Sequence, residues 1–61
     1  MKIVLERLAD PKGHVKIIEI AGGTDKIPAA LSYDSQQAAV NAAAQYLGLM
    51  ADEFDEVEVR D

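Results

Sequence analysis

The sequence predicts an α+β fold with the order strand, strand, helix, strand, and with room for a short third strand before the helix, ββ(β)αβ. Three observations predict it. The turn sequence DPKG separates two aliphatic runs, an alanine-rich run is bounded by helix-capping residues, and valines alternate with charged residues near the chain's end. Sixty-one residues make one small domain, 1–61, near the lower size limit for independent folding.

The hairpin comes first. KIVLERLA and HVKIIEIA flank Asp10-Pro11-Lys12-Gly13. Proline pre-sets the backbone angle of the first central turn position, Asp10 can bond back into the turn, and Gly13 accepts the left-handed conformation that follows. This predicts a type I turn with a glycine bulge, joining antiparallel strands over about 2–9 and 14–21. If Asp10 and His14 close the turn, Arg7 faces Ile17, Glu6 faces Ile18 and Leu5 faces Glu19. One face then carries Ile3, Leu5, Val15 and Ile17, and the other Val4, Leu8, Ile18 and Ile20. Strands with one wet face should alternate apolar and polar. On this register both faces want cover.

AGGTDKIPAALSY, residues 21–33, is irregular. Gly22 and Gly23 release the chain from the second strand and Thr24 to Lys26 is turn material. A weak alternation of Ile27, Ala29, Leu31 and Tyr33 allows a short strand around 29–33, with Pro28 confining its start to an edge. The next run, DSQQAAVNAAAQYLG, predicts a helix. Asp34 suits the N-cap, Gln37 can complete a capping box, alanine is the best helix former, and Gly48 suits the C-terminal cap. Gln37, Asn41 and Gln45 share one stripe, opposite Ala39, Ala43, Tyr46 and Leu47. From Asp55 onward, Val57 and Val59 point one way and Glu56, Glu58 and Arg60 the other, the period of a half-buried strand. Phe54 anchors the turn into it.

Composition bounds the association state. Hydrophobic residues make up 49% of the chain, yet many are alanines, so the large apolar side chains are few for a lone monomer. There is no cysteine and a single histidine, so disulfide or metal staples are not expected. Together with a sheet aliphatic on both faces, this predicts a homodimer burying sheet face or edge.

Other function classes fall away. No segment approaches the roughly 20 apolar residues of a membrane span, and Glu6 and Arg7 break any signal-like start, so a cytoplasmic protein is expected. The net charge of −5 arises wholly from residues 52–61. No Lys/Arg cluster exists to release phosphate counterions, so direct nucleic-acid binding is not expected. GGTDK lacks the GxxxxGK[ST] pattern of a phosphate loop. Neither Ser32 nor Ser35 sits in a nucleophile elbow, and His14 reads as a solvated turn residue. Tyr33 and Tyr46 are too few for a nucleic-acid stacking platform.

The acidic end, ADEFDEVEVRD, remains. Paired carboxylates act as acid and base only where a cleft separates their pKa values, and nothing desolvates Glu56 or Glu58. Asp52, Glu53, Asp55 and Glu56 lack the DxDxDG geometry of a calcium loop. The pattern fits a solvated strand face that discourages edge-to-edge pairing. The competing reading is a recognition surface for a basic protein, presented by Asp55, Glu56 and Glu58. No enzyme activity and no cofactor are expected.

IVLER in the first strand and IPAALSYDSQQAAVNAAAQYL leading into and through the helix resemble the small HicB-like antitoxins, which have a partial RNase H-like fold. The matching positions are Tyr33, Asp34, Ser35, Gln36, Gln37 and Ala38 at the helix start, then Tyr46 and Leu47, within about half the chain. The family's Pro-Gly pair reads Pro28-Ala29 here, its aromatic-bearing second strand reads HVKII, and no DNA-binding extension is expected. The resemblance implies a dimeric antitoxin that masks a basic RNA-cleaving toxin. The residues themselves predict a small acidic, non-enzymatic protein-interaction module that self-associates. The alternative is an antitoxin- or nucleic-acid-mimic-type inhibitor presenting the acidic strand to a basic partner.

Overall fold

The computed structural model describes residues 1–21, 23–28 and 31–61. A mixed three-stranded sheet has the order β2-β1-β3, with β1 (Lys2–Arg7) central, β2 (Val15–Ile20) antiparallel to it and β3 (Glu56–Arg60) parallel to it. One helix, α1 (Gln36–Leu47), lies against β1 and β2, and a short 3₁₀ turn over Ala51–Glu53 leads into β3. This is the expected α+β arrangement. No helix among the described residues is long and apolar enough to cross a membrane.

The DPKG turn closes as its chemistry requires. The Asp10 carboxylate accepts from the backbone N–H of Lys12 and of His14, both at 3.1 Å, and Gly13 sits at φ 70°. The closing pair is Leu8 with His14, whose carbonyl accepts from Leu8 N–H at 2.8 Å. Near the turn the register therefore differs by two residues from the expected one, with Arg7 opposite Val15 and Leu5 opposite Ile17. A two-residue slip preserves the faces. Farther from the turn the faces change, because the register shifts between Val4 and Leu5. Ile18 is the extra residue of a bulge, so Glu19 pairs with Val4 and Ile20 with Ile3.

That bulge corrects the expectation of two aliphatic faces. It turns Ile20 onto the helix side, where Ile3, Leu5, Val15 and Ile20 are all buried, together with Ile27, Phe54, Ala39, Val40, Ala43 and Ala44. The opposite face keeps the buried Val4 and, near the turn, the half-buried Leu8, among Lys2, Glu6, Lys16, Glu19, Glu56, Glu58 and Arg60.

The helix starts one residue later than expected. Ser35 is the N-cap, in extended conformation at φ −151°, and its hydroxyl accepts from Ala38 N–H at 3.1 Å. Asp34 precedes the cap, and Gln37 donates to Asn41 at 2.9 Å rather than folding back into a capping box. Both Asp and Ser are good caps, and the register of the following turn decides between them. Gly48 ends the helix at φ 69°, as the sequence requires. Alanines on the sheet-facing side let α1 approach closely: Ala39 and Ala43 are fully buried.

Of the expected strand around 29–33, Ala29 and Ala30 lie outside the described residues. Tyr33 makes a single antiparallel bridge to Val15, with Tyr33 N–H to Val15 carbonyl at 2.8 Å and Val15 N–H to Tyr33 carbonyl at 3.0 Å.

Candidate functional site

The two outer edges of the sheet differ. On the β2 side, Tyr33 occupies the backbone groups of Val15, and Gly23 N–H bonds the Ile20 carbonyl at 2.9 Å. Thus β2 is met at both ends. On the β3 side, no described element pairs with the strand or packs beyond it.

The β1–β3 pairing decides which backbone groups of β3 are free. Glu56 N–H donates to the Met1 carbonyl at 3.4 Å, and Lys2 lies beside Glu56 in register. In a parallel ladder, alternate residues direct both N–H and C=O to the same neighbour. Glu56, Glu58 and Arg60 therefore bond to β1, while the N–H and C=O of Val57 and Val59 point away from the sheet. The Val57 side chain is 42% exposed on the helix side, and Val59 is half-buried beside it. Helix α1 does not reach across β1 to cover Val57.

The three acids singled out in the sequence all lie on this segment and are exposed or half-exposed, each with a cation from the chain itself. Asp55 accepts from the Met1 amino group at 2.7 Å. Lys2 Nζ lies 2.8 Å from Glu58 and 3.6 Å from Glu56, and Arg60 Nε lies 2.6 Å from Glu58. The Lys2 and Arg60 hydrogen bonds hold the Glu58 carboxyl below the usual carboxylate range, and Glu58 in turn raises Lys2 and Arg60. The Met1 amino group lowers Asp55 in the same way. Exposed pairs of this kind contribute little stability, but they orient side chains. Lys16 to Glu6 at 3.4 Å continues the pattern across the sheet, so the open face alternates in sign. Arg7 bonds Asp61 at 3.0 Å at the far end.

The other acids have local roles. Glu53 accepts from Met50 N–H at 2.8 Å, capping the 3₁₀ turn. Among the described residues no three His, Asp or Glu side chains gather as a metal-ligating group. His14 is half-buried rather than fully solvated: its Nδ1 lies 2.8 Å from Asp10, and its Nε2 lies 3.9 Å from Asp34. The His14 hydrogen bond is the largest cause of a lowered Asp10 pKa.

Sequence reasoning missed Tyr33. Its hydroxyl is buried with no hydrogen-bond partner among the described residues, and burial raises its pKa, with Tyr46 adding to the effect. The weak alternation over 27–33 was the only signal that Tyr33 faces inward. Two shallow cavities of about 230 and 260 Å³ flank the 23–27 segment, one against Lys16, Ile17 and Ile18 and the other against Leu47 and Leu49. Both fall below the roughly 300–1,000 Å³ of common small-molecule sites. Among the described residues there remain the exposed apolar side chains of Leu31, Tyr46 and Met50 and the open β3 edge with its flanking charges, and the edge alone of these joins free backbone groups to an exposed side chain. Comparison with protein-family models, with curated proteins and with solved structures finds no significant match to this chain.

Proposed function

We propose that this chain is a small non-enzymatic protein-interaction module that engages its partner along the β3 edge. The observation that carries this reading is an edge strand whose outward backbone groups and exposed Val57 have no element packed against them among the described residues. An extended segment laid there gains main-chain hydrogen bonds from Val57 and Val59, and side-chain contacts supply selectivity. We place the module in the cytoplasm, a setting that a cysteine-free chain fits.

The test is selection of extended peptides from a displayed random library, followed by amide-shift mapping on isotope-labelled protein. Binders should perturb Val57 and Val59 most. They should be lost in Val57→Pro, which removes an outward N–H that β1 does not use. Binders that map to α1, or that ignore Val57→Pro, would refute the reading.

A second reading is favoured by the exposure of Asp55, Glu56 and Glu58 on one continuous segment. In it, the acids meet a basic protein, as an antitoxin- or nucleic-acid-mimic-type inhibitor would. Their present cations must then be exchanged for the partner's. Glu56→Lys with Glu58→Lys should abolish such binding, and binding should also collapse with salt. An unaffected complex would count against it.

A further inference from the structure

Strand β3 is self-complementary. Written antiparallel to itself about Glu58, the segment Glu56-Val57-Glu58-Val59-Arg60 sets Glu56 opposite Arg60 of a second copy and Val57 opposite its Val59. Resting on the reading of β3 as the interaction edge, we propose that its occupant is a second copy of this chain, joined by antiparallel β3–β3 pairing centred on Glu58.

Three features of the strand agree on this register. The groups free to bond outward are those of Val57 and Val59, and in this register these residues form the hydrogen-bonded pairs, each exchanging both N–H···O=C bonds. The intervening and flanking positions are the close, non-hydrogen-bonded ones, where side chains interact most strongly. These carry Glu56 against Arg60 twice and Glu58 against Glu58 once. The single like-charge contact is tempered, because each Glu58 is already held by Lys2 at 2.8 Å and Arg60 at 2.6 Å. Each copy thus brings Glu56 and Glu58 together with Lys2 and Arg60, and the strip across the junction is neutral.

Neighbouring registers fit less well. Centring the pair on Val57 would set Glu56 against Glu58 twice, and centring it on Val59 would match Glu58 with Arg60 but set Val57 against Asp61, beyond the strand's end. A two-fold axis normal to the sheet keeps both helices on one side. The product is a continuous six-stranded sheet, β2-β1-β3-β3-β1-β2, with Val57 covered by the partner's Val59.

The contact is small, so the association is weak. The experiment is sedimentation equilibrium of the full chain up to about 1 mM, where small contacts dissociate measurably. A reversible monomer–dimer equilibrium is expected. Val57→Pro should abolish it with the circular dichroism spectrum retained. Glu56→Arg and Arg60→Glu should each weaken it on the order of tenfold, and the double variant should restore it. Glu58→Gln, which removes the like-charge contact, should tighten it several-fold. A mixed-label sample should give an interchain contact between the two Glu58 Hα protons, which no other register produces.

A chain monomeric throughout, or a dimer indifferent to these substitutions, overturns the proposal. A monomer whose Val57 and Val59 amides still shift with a selected peptide overturns self-pairing alone and leaves the module reading standing. A chain that is monomeric and takes no such peptide overturns both.

Discussion

The two fully buried neighbours Val4 and Leu5 should respond very differently to truncation, because they lie on opposite faces of β1. Leu5 belongs to the core beneath α1. Leu5→Ala removes three carbons, about 2.4 kcal/mol of transfer energy, and leaves a cavity that the helix cannot close, for a total of about 3–4 kcal/mol. Val4 lies outside that core, between Glu19 on one side and Glu58 on the other, with Lys2 and Glu6 along its own strand. Long charged side chains can lay their aliphatic stems over a residue so placed. Val4→Ala removes two carbons, about 1.6 kcal/mol, and the stems can settle into the space. A domain this size has a total stability of about 3–9 kcal/mol. Leu5→Ala should therefore remove about a third or more of that stability, while Val4→Ala should lower Tm by roughly 6–13 °C, at about 4–8 °C per kcal/mol. Thermal and urea melts followed by circular dichroism, at two micromolar chain concentrations, measure both. If Val4→Ala costs as much as Leu5→Ala, or if its midpoint moves with chain concentration, the charged face is covered by another molecule and the account of it as self-sheltering fails.

Three further outcomes follow from local geometry. Ser35→Ala should cost about 1 kcal/mol in urea melts, since it leaves Ala38 N–H without its cap, whereas Asp34→Ala should cost little. Tyr33→Phe should be neutral or stabilising by up to about 1 kcal/mol, because it removes a buried hydroxyl that bonds nothing among the described residues; a destabilisation of about 1 kcal/mol or more would mean the hydroxyl has a partner in solution. Acid should destabilise the fold through Asp10 and Glu58, whose carboxyls lie below their ordinary values of 3.8 and 4.5. On acidification the unfolded chain takes up these protons first, so the stability they contribute is present above pH 4.5 and lost as pH falls through their folded values. Glu58→Gln with Asp10→Asn should flatten that limb of the pH–stability curve.

The parts legible in the sequence are those set by near neighbours along the chain. Pro11 and Gly13 determine the turn, Gly48 ends the helix, and the alternation of Val57 and Val59 with Glu56 and Glu58 marks the last strand. The hairpin register was not legible, because DPKG accommodates closing pairs two residues apart and because the bulge at Ile18 answers to packing against α1. Nor did the alternation reveal which strand β3 would pair with. Once it lies beside β1, its Glu and Arg side chains meet Lys2 and Glu6, and the face expected to be greasy becomes a charged lattice around Val4. Position likewise changed the meaning of the acidic residues. Glu58 read as surplus charge because Lys2, its ion-pair partner, is more than fifty residues away in sequence.

That distance has a consequence for how the chain comes off the ribosome. Of the three described strands, the one made first is the middle of the sheet. Its hairpin partner follows within a few residues, but its other flank stays bare until residues 56–60 have been synthesised. Until residues 36–47 are made the nascent hairpin carries Ile3 and Leu5 without the covering helix, and until residues 56–60 are made it lacks the third strand. Final assembly must therefore be a late event that joins the two ends of the segment, slower than its size alone suggests.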